Sequence, residues 1–306
     1  SISCDTLRWA MVDAIVLSAG RASRFGVPKF LLPAGEGHVL LTRVLEQAAF
    51  ALDGRIVVVL GRAAKVARYV VERWVETTPG VDSRVKTVLN HNYRYGQSTS
   101  LKAGIRMLSG ASGALVLLAD MPAIEPTRLE QMREAIETKT PQILAVAASV
   151  QGQIRPPVYL SARLFPEVLR LKGDQGARAI LSTRQKQIEL LEWGDGLWCS
   201  DIDDWPTYRY LAYRMGWAKE PFAPIPHACV SAAQVKAKVD ATLASSAVPW
   251  LAPGLLVLSG KGETHWLDLT APYRGVWGIV VGRSGTPAQY LQLLRRATLS
   301  ALSAGV

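Results

Sequence analysis

Short apolar runs punctuate the chain, and amphipathic stretches fill the intervals between them. Ala14–Leu17, Arg55–Leu60 and Ala114–Ala119 are almost continuously apolar and rich in β-branched residues, which reads as strands buried on both faces. Val85–Leu89 and Ile143–Ser149 add two more strands, and Val158–Leu160 a further one after Gly152 and the Pro156-Pro157 pair. Helical spacing appears at Thr42–Ala49, with Thr42 as its cap, at Ala63–Val75 and at Leu101–Leu108. Leu164–Leu171 reads as a short helix, and Asp174 as the cap of a helix that Ala177 begins. Strand, helix, strand, helix at this spacing predicts a mostly parallel sheet in a three-layer α/β arrangement. Ligands bind such sheets beyond the carboxyl ends of the strands.

The pattern changes after Met215. Pro221, Pro224 and Pro226 make a stiff linker. Beyond it a strand is expected at Cys229 and a helix over Ser231–Leu243. Strands then come at Leu255–Leu258, His265–Leu269 and Val276–Val281, with a last helix over Pro287–Leu302. The expectation is a principal domain at 1–218 and a small C-terminal α/β domain at 219–306. Ser1–Met11 reads as a lead-in helix. Gly282–Pro287 reads as a capped turn ahead of the last helix.

Composition narrows the ligand class. The 306 residues are 49% hydrophobic, enough for a real core, and carry a formal charge of +10, which suits acidic ligands. The basic residues are dispersed, without the runs or aromatic-interleaved strips that nucleic acid demands, so no nucleic-acid partner is expected. Cys4, Cys199 and Cys229 are isolated and form neither a disulfide framework nor a zinc spacing. A reducing cytoplasm is the expected location. No apolar stretch of about 18 residues occurs, so no membrane association is expected.

Residues suited to binding and catalysis gather at the predicted strand ends. Ser18–Lys29 is a loop of small residues with three cations, Arg21, Arg24 and Lys29, and no acid. Small residues admit close backbone approach, and amides with Arg and Lys are what a polyphosphate needs. After the third strand, Gly96 precedes Ser98, Thr99 and Ser100 at a helix start, where hydroxyls either cap the helix or bind a base edge or phosphate. Asp120 closes the strand Ala114–Ala119, just ahead of Pro122. No Walker A loop exists, because Gly260-Lys261-Gly262 runs into Glu263.

The string Leu17-x-Ala19-Gly20-x-x-x-Arg24-x-Gly26-x-x-Lys29 resembles the signature of nucleotidyltransferases, most closely the molybdenum cofactor cytidylyltransferases and their guanylyltransferase relatives. The resemblance implies a Rossmann-like fold and transfer of a nucleoside monophosphate from an NTP to a phosphate-bearing acceptor. It implies CTP as nucleotide, from the Ala19-Gly20 pair, and a molybdopterin-type cofactor as acceptor. Arg24, Lys29 and Asp120 are then catalytic. Leu17, Ser18, Ala19, Gly20, Arg21, Gly61, Gly96, Ser98 and Ser100 bind the nucleotide. Magnesium sits on Asp120 and on Asp201 or Asp203, the other acid capping the helix near Pro206. Gly173–Arg178 resembles the family's Gly-Asp-x-Gly-Ala-Arg string. Pro156 stands where the family carries a histidine, which leaves open another acceptor, such as a sugar phosphate or a phosphonate. A further alternative is a binding protein that delivers cofactor to a molybdoenzyme or its maturation factor.

Overall fold

The computed structural model describes residues 11–19, 28–32, 34–35, 38–203, 205–217, 250–252, 255–260, 263–268 and 279–282. The chain divides into two compact units, one of Ser1–Gly20, Thr42–Arg62 and Val71–Ser200, the other of Arg21–Leu41, Ala63–Val70 and Asp201–Val306.

The first unit holds a seven-stranded sheet of β1 (Asp13–Leu17), β2 (Ile56–Leu60), β3 (Val85–Leu89), β4 (Gly113–Leu118), β5 (Ala145–Val150), β6 (Gln153–Ser161) and β7 (Ile188–Glu192). Its order is β3-β2-β1-β4-β6-β5-β7. β1 pairs in parallel with β2 on one side and with β4 on the other, and β2 with β3. β6 runs antiparallel to β4 and β5, while β7 is parallel to β5. The sheet is therefore mostly parallel, as the apolar runs predict. β1 and β2 are buried along their whole length because neighbours cover both faces.

The helices are α1 (Leu40–Ala51), α2 (Ala64–Thr77), α3 (Gln97–Arg106), α4 (Pro126–Thr138), α5 (Phe165–Val168), α6 (Ala177–Leu181) and α7 (Trp205–Arg214). In α1, Leu40, Leu41, Val44, Leu45, Ala48 and Ala51 are buried, one stripe at helical period. Thr42 is thus inside α1 and not its cap, since Leu40 already begins the turn. α3 packs on β1 and β2, and its buried Leu101 and Ile105 join Ile15, Val57 and Val59 in one core. Pro156 and Pro157 lie where the β5–β6 register shifts, the position at which a strand tolerates a missing N–H.

In the second unit, β8 (Trp250–Ala252), β9 (Leu255–Gly260), β10 (Glu263–Asp268) and β11 (Ile279–Gly282) form an antiparallel sheet ordered β11-β10-β9-β8. Three of these strands match the expected apolar runs, and β8 is an addition. The expected strand at Cys229, the helices over Ser231–Leu243 and Pro287–Leu302, most of the turn after Gly282 and the lead-in helix fall outside the described residues. No described helix is long and apolar enough to cross a membrane.

One carboxylate ties β7 to the β5–β6 turn. Gln151 and Gly152 adopt φ of 50° and 73°, a tight hairpin geometry, and their N–H groups donate to Glu192 at 2.9 and 3.0 Å. Ser149 donates its hydroxyl to the same carboxylate at 2.9 Å. These donors, Gly152 first, hold the Glu192 carboxyl below its ordinary range. A depressed folded-state pKa adds stability above the unfolded value, near 4, and that stability is lost as pH falls through the folded value. Glu192→Gln should therefore unfold at lower urea than the parent at pH 7, and the gap should narrow steadily as pH is taken below 4. An equal gap at both pH values would exclude this linkage.

Candidate functional site

The carboxyl edge of the parallel strands is built from consecutive hydrogen bonds within the first unit. The Ser18 N–H and hydroxyl both donate to the Val59 carbonyl, at 3.1 and 2.7 Å. The Ala119 N–H donates to the Leu17 carbonyl at 3.1 Å, and the Asn90 N–H to the Leu60 carbonyl at 2.8 Å. Ala19, Gly61, Asn90 and Asp120 consequently leave their strands along one edge, and the sheet order reverses between β1 and β4. Gly61 allows this approach, because a Cβ there would stand 2.7 Å from the Ala19 Cβ and 2.8 Å from that of Tyr93. Ala19 is only 4% exposed. Its methyl lies over Gly61, so the space it narrows is inside the fold. The donors of Ser18 likewise stay within the fold.

Asp120 is half-buried on a turn held from both sides. The Met121 N–H donates to the Leu118 carbonyl at 3.2 Å, and Gln47 Nε2 donates to the Pro122 carbonyl at 2.7 Å. Buried Met121, Ala123 and Ile124 anchor the backbone on its C-terminal side. Among the described residues, no group of three or more His, Cys, Asp or Glu side chains could hold a metal ion. A hard cation such as magnesium is ordinarily held by one or two carboxylates together with substrate phosphates, which the half-buried Asp120 carboxylate suits.

At the start of α3 the residues left two readings open, helix capping or binding of a base edge or phosphate. Gly96 stands at the cap position with φ of 106°, and no side chain caps the helix. The Ser98 N–H donates to the Gly173 carbonyl at 3.1 Å. Ser98 is 0% exposed and its hydroxyl has no hydrogen-bond partner among the described residues. Thr99 turns its hydroxyl back to the Gly96 carbonyl at 2.8 Å. Beneath it, Asn90 donates to the hydroxyls of Thr99 and Ser100 at 2.8 and 2.9 Å. Two strings far apart in sequence thus clasp each other: a Cβ on Gly96 would be 2.2 Å from Gly173, and one on Gly176 2.7 Å from Gln97 Oε1. Asp174 is exposed and does not cap α6, whose cap position is Gly176. Arg178 donates to the Ile154 carbonyl at 2.7 Å.

In the second unit, Lys29 opens a short 3₁₀ turn anchored by buried Phe30, Leu31 and Leu32. Its ammonium meets Asp203 Oδ1 at 2.9 Å, with side chains 15% and 56% exposed. Asp201 is exposed too, and Ile202 between them is buried. The structure therefore pairs an expected phosphate-binding cation with an expected metal ligand. Gly20, Arg21, Arg24 and Gly26 lie outside the described residues. Residue spacing did not single out Asn90 or Tyr93, though an amide buried at the end of a strand demands a partner.

A mostly parallel sheet whose order reverses beside a strand-end acid defines an α/β protein of the class that binds ligands beyond the carboxyl ends of its strands. The MobA-like NTP transferase domain matches residues 14–188, more than half of the chain, and the chain belongs to that family. Its principal domain is a nucleotidyltransferase domain. Among curated relatives, the purine catabolism protein PucB of Bacillus subtilis (strain 168) is 30% identical over 215 residues, 68% of this chain and 100% of PucB. Nicotine blue oxidoreductase of Paenarthrobacter nicotinovorans is 27% identical over 201 residues, 63% of this chain and 92% of that protein. Among solved structures, the manganese complex of Mycobacterium tuberculosis Rv0371c superposes with a TM-score of 0.51 at 24% identity, over 66% of this chain and 97% of that one. Molybdopterin-guanine dinucleotide biosynthesis protein A of Archaeoglobus fulgidus does so with a TM-score of 0.50 at 17% identity, over 67% and 100%. At these identities the two structures bear on the fold alone.

The Gly96–Gly173 contact yields a direct test. Gly96→Ala adds both a left-handed strain and a backbone clash, and should cost roughly 3 kcal/mol in urea unfolding. Gly173→Ala, at φ of 57° with nothing within 4 Å of its Cβ, should cost only about 1 kcal/mol. Equal losses would mean that the clasp does not constrain the α3 start.

Proposed function

We propose that this protein transfers CMP from CTP to a phosphate-bearing acceptor, a molybdopterin-type molybdenum cofactor, and releases pyrophosphate. The observation that carries the reading is Asp120 beside the β1 exit at the sheet's reversal point, in a MobA-like domain. The acceptor is taken from the resemblance of Leu17–Lys29 to the molybdenum cofactor cytidylyltransferases. An acceptor phosphate oxygen attacks the α-phosphorus, the new O–P bond forms, and the bond to the β-phosphate oxygen breaks. The attacking oxygen is already anionic, so no general base is needed. Catalysis is positioning and charge neutralisation.

Each role is assigned by residue. Lys29 and Arg24 hold the triphosphate, with Gly20 and Arg21 on the same loop. Leu17, Ser18, Ala19 and Gly61 shape its entry by backbone, and Gly96, Ser98 and Ser100 meet the base. Asp120 would hold a divalent cation, with Asp201 or Asp203 as further candidates, and that cation would neutralise phosphate charge. Magnesium is proposed; the manganese complex of Rv0371c supports a divalent ion at this fold. Asp203 keeps the Lys29 ammonium oriented until phosphate competes for it.

Steady-state pyrophosphate release with each of the four NTPs, with and without molybdopterin-type cofactor, tests the reading. CTP should exceed GTP by at least about tenfold in kcat/KM, equivalent to roughly 1.4 kcal/mol. Turnover only with a sugar phosphate or a phosphonate would replace the acceptor, and nucleotide binding without turnover would make this a cofactor-delivery protein. Lys29→Ala should lose on the order of 3 kcal/mol of transition-state stabilisation, about a hundredfold in rate, while urea unfolding shifts little. Near-normal turnover by that variant would remove Lys29 from the phosphate site.

A further inference from the structure

Asn90 is 5% exposed and uses every polar atom of its side chain. Its Oδ1 accepts the Asn92 backbone N–H at 3.0 Å. A backbone N–H can only donate, so this bond settles which end of the amide is oxygen. Both protons of Nδ2 therefore go to hydroxyl oxygens, Thr99 Oγ1 at 2.8 Å and Ser100 Oγ at 2.9 Å. Each hydroxyl is then obliged to accept from Asn90 and to point its own proton elsewhere. Thr99 donates to the carbonyls of Asn92 and Gly96, at 2.9 and 2.8 Å. Ser100, 5% exposed, has no acceptor for its proton among the described residues.

We propose that Asn90 is a positioning residue that fixes the hydrogen-bond polarity of the α3 start, making Ser100 a donor and so biasing the site toward a base that presents acceptors. The inference rests on the reading that Gly96–Ser100 meets the nucleotide base. Cytosine offers acceptors at N3 and O2, whereas guanine offers N–H donors at N1 and N2. With one lone pair taken by Asn90, the Ser100 hydroxyl offers its proton to N3 or O2 of the first edge, whereas the N–H donors of the second leave that proton unmatched. With the Ala19 methyl turned onto Gly61, this polarity supplies a base preference that loop width does not.

Asn90→Asp tests the polarity directly, since a carboxylate accepts where the amide donates, and a protonated carboxyl donates again. The probes are CTP and GTP with magnesium, titrated at equilibrium against the full chain between pH 5 and 8 and followed by tryptophan fluorescence. The variant should bind CTP about tenfold more weakly than the parent at pH 8, with GTP less affected. It should regain CTP affinity as pH falls, along a limb that the parent lacks. His91, exposed next to Asn90, is present in both proteins, so the parent profile is its control. Equal weakening toward both nucleotides, or matching pH profiles, would overturn the proposal. If circular dichroism shows Asn90→Asp unfolded, Ser100→Ala decides: selective loss of CTP affinity supports the proposal, and an unchanged CTP-to-GTP ratio overturns it. A parent that shows no preference for CTP refutes the base reading itself, a result separable from every outcome of the variants.

Discussion

The first unit depends on how β1 is held. It pairs in parallel on both edges and is covered on both faces, so its register with β2 and β4 cannot slip without exposing Ile15 and Val16. That register places Leu17 opposite Val59 and Leu118. Everything one or two residues further on, namely Ala19, Gly61 and Asp120, is aligned as a result. The chemistry-bearing residues need no precision of their own, because the buried ladder supplies it.

Close approach is the second constraint, and two glycines carry it. Gly61 lets the β2 exit lie against Ala19 and Tyr93, and Gly96 lets the start of α3 lie against Gly173. Each removes a Cβ at a place where backbone must pass side chain or backbone. The second contact closes the α3 start over a Ser98 hydroxyl without a partner among the described residues, an arrangement that costs free energy in a buried setting. Strain of this kind concentrates at functional positions. In the polar network beneath, Asn90 spends its whole amide on Asn92, Thr99 and Ser100.

Charge enters through a few placed groups against a broadly basic background. The net charge of +10 draws anions toward the molecule. Specific placement falls to Lys29, whose stem is anchored by Phe30 to Leu32 and whose ammonium is oriented by Asp203. An exposed partner such as Asp203 adds little stability. Its effect is to orient the Lys29 ammonium.

β1 to β6, the α/β class and the acid after β4 were legible in the residues, because each is written in local composition: apolar runs and one carboxylate before a proline; β7, only half-buried, was not. Helix starts were less legible. Thr42, Ser98 and Asp174 have the chemistry of caps, yet Leu40 and two glycines begin those helices, since burial of Leu40 and backbone contact at Gly96 outweigh a single capping bond. It took the folded chain to bring Lys29 to Asp203 and Gly96 to Gly173, and to set Asn90 against two hydroxyls nine and ten residues ahead. Those pairings depend on long-range register, and a local pattern carries no term for which distant residue a buried donor will find.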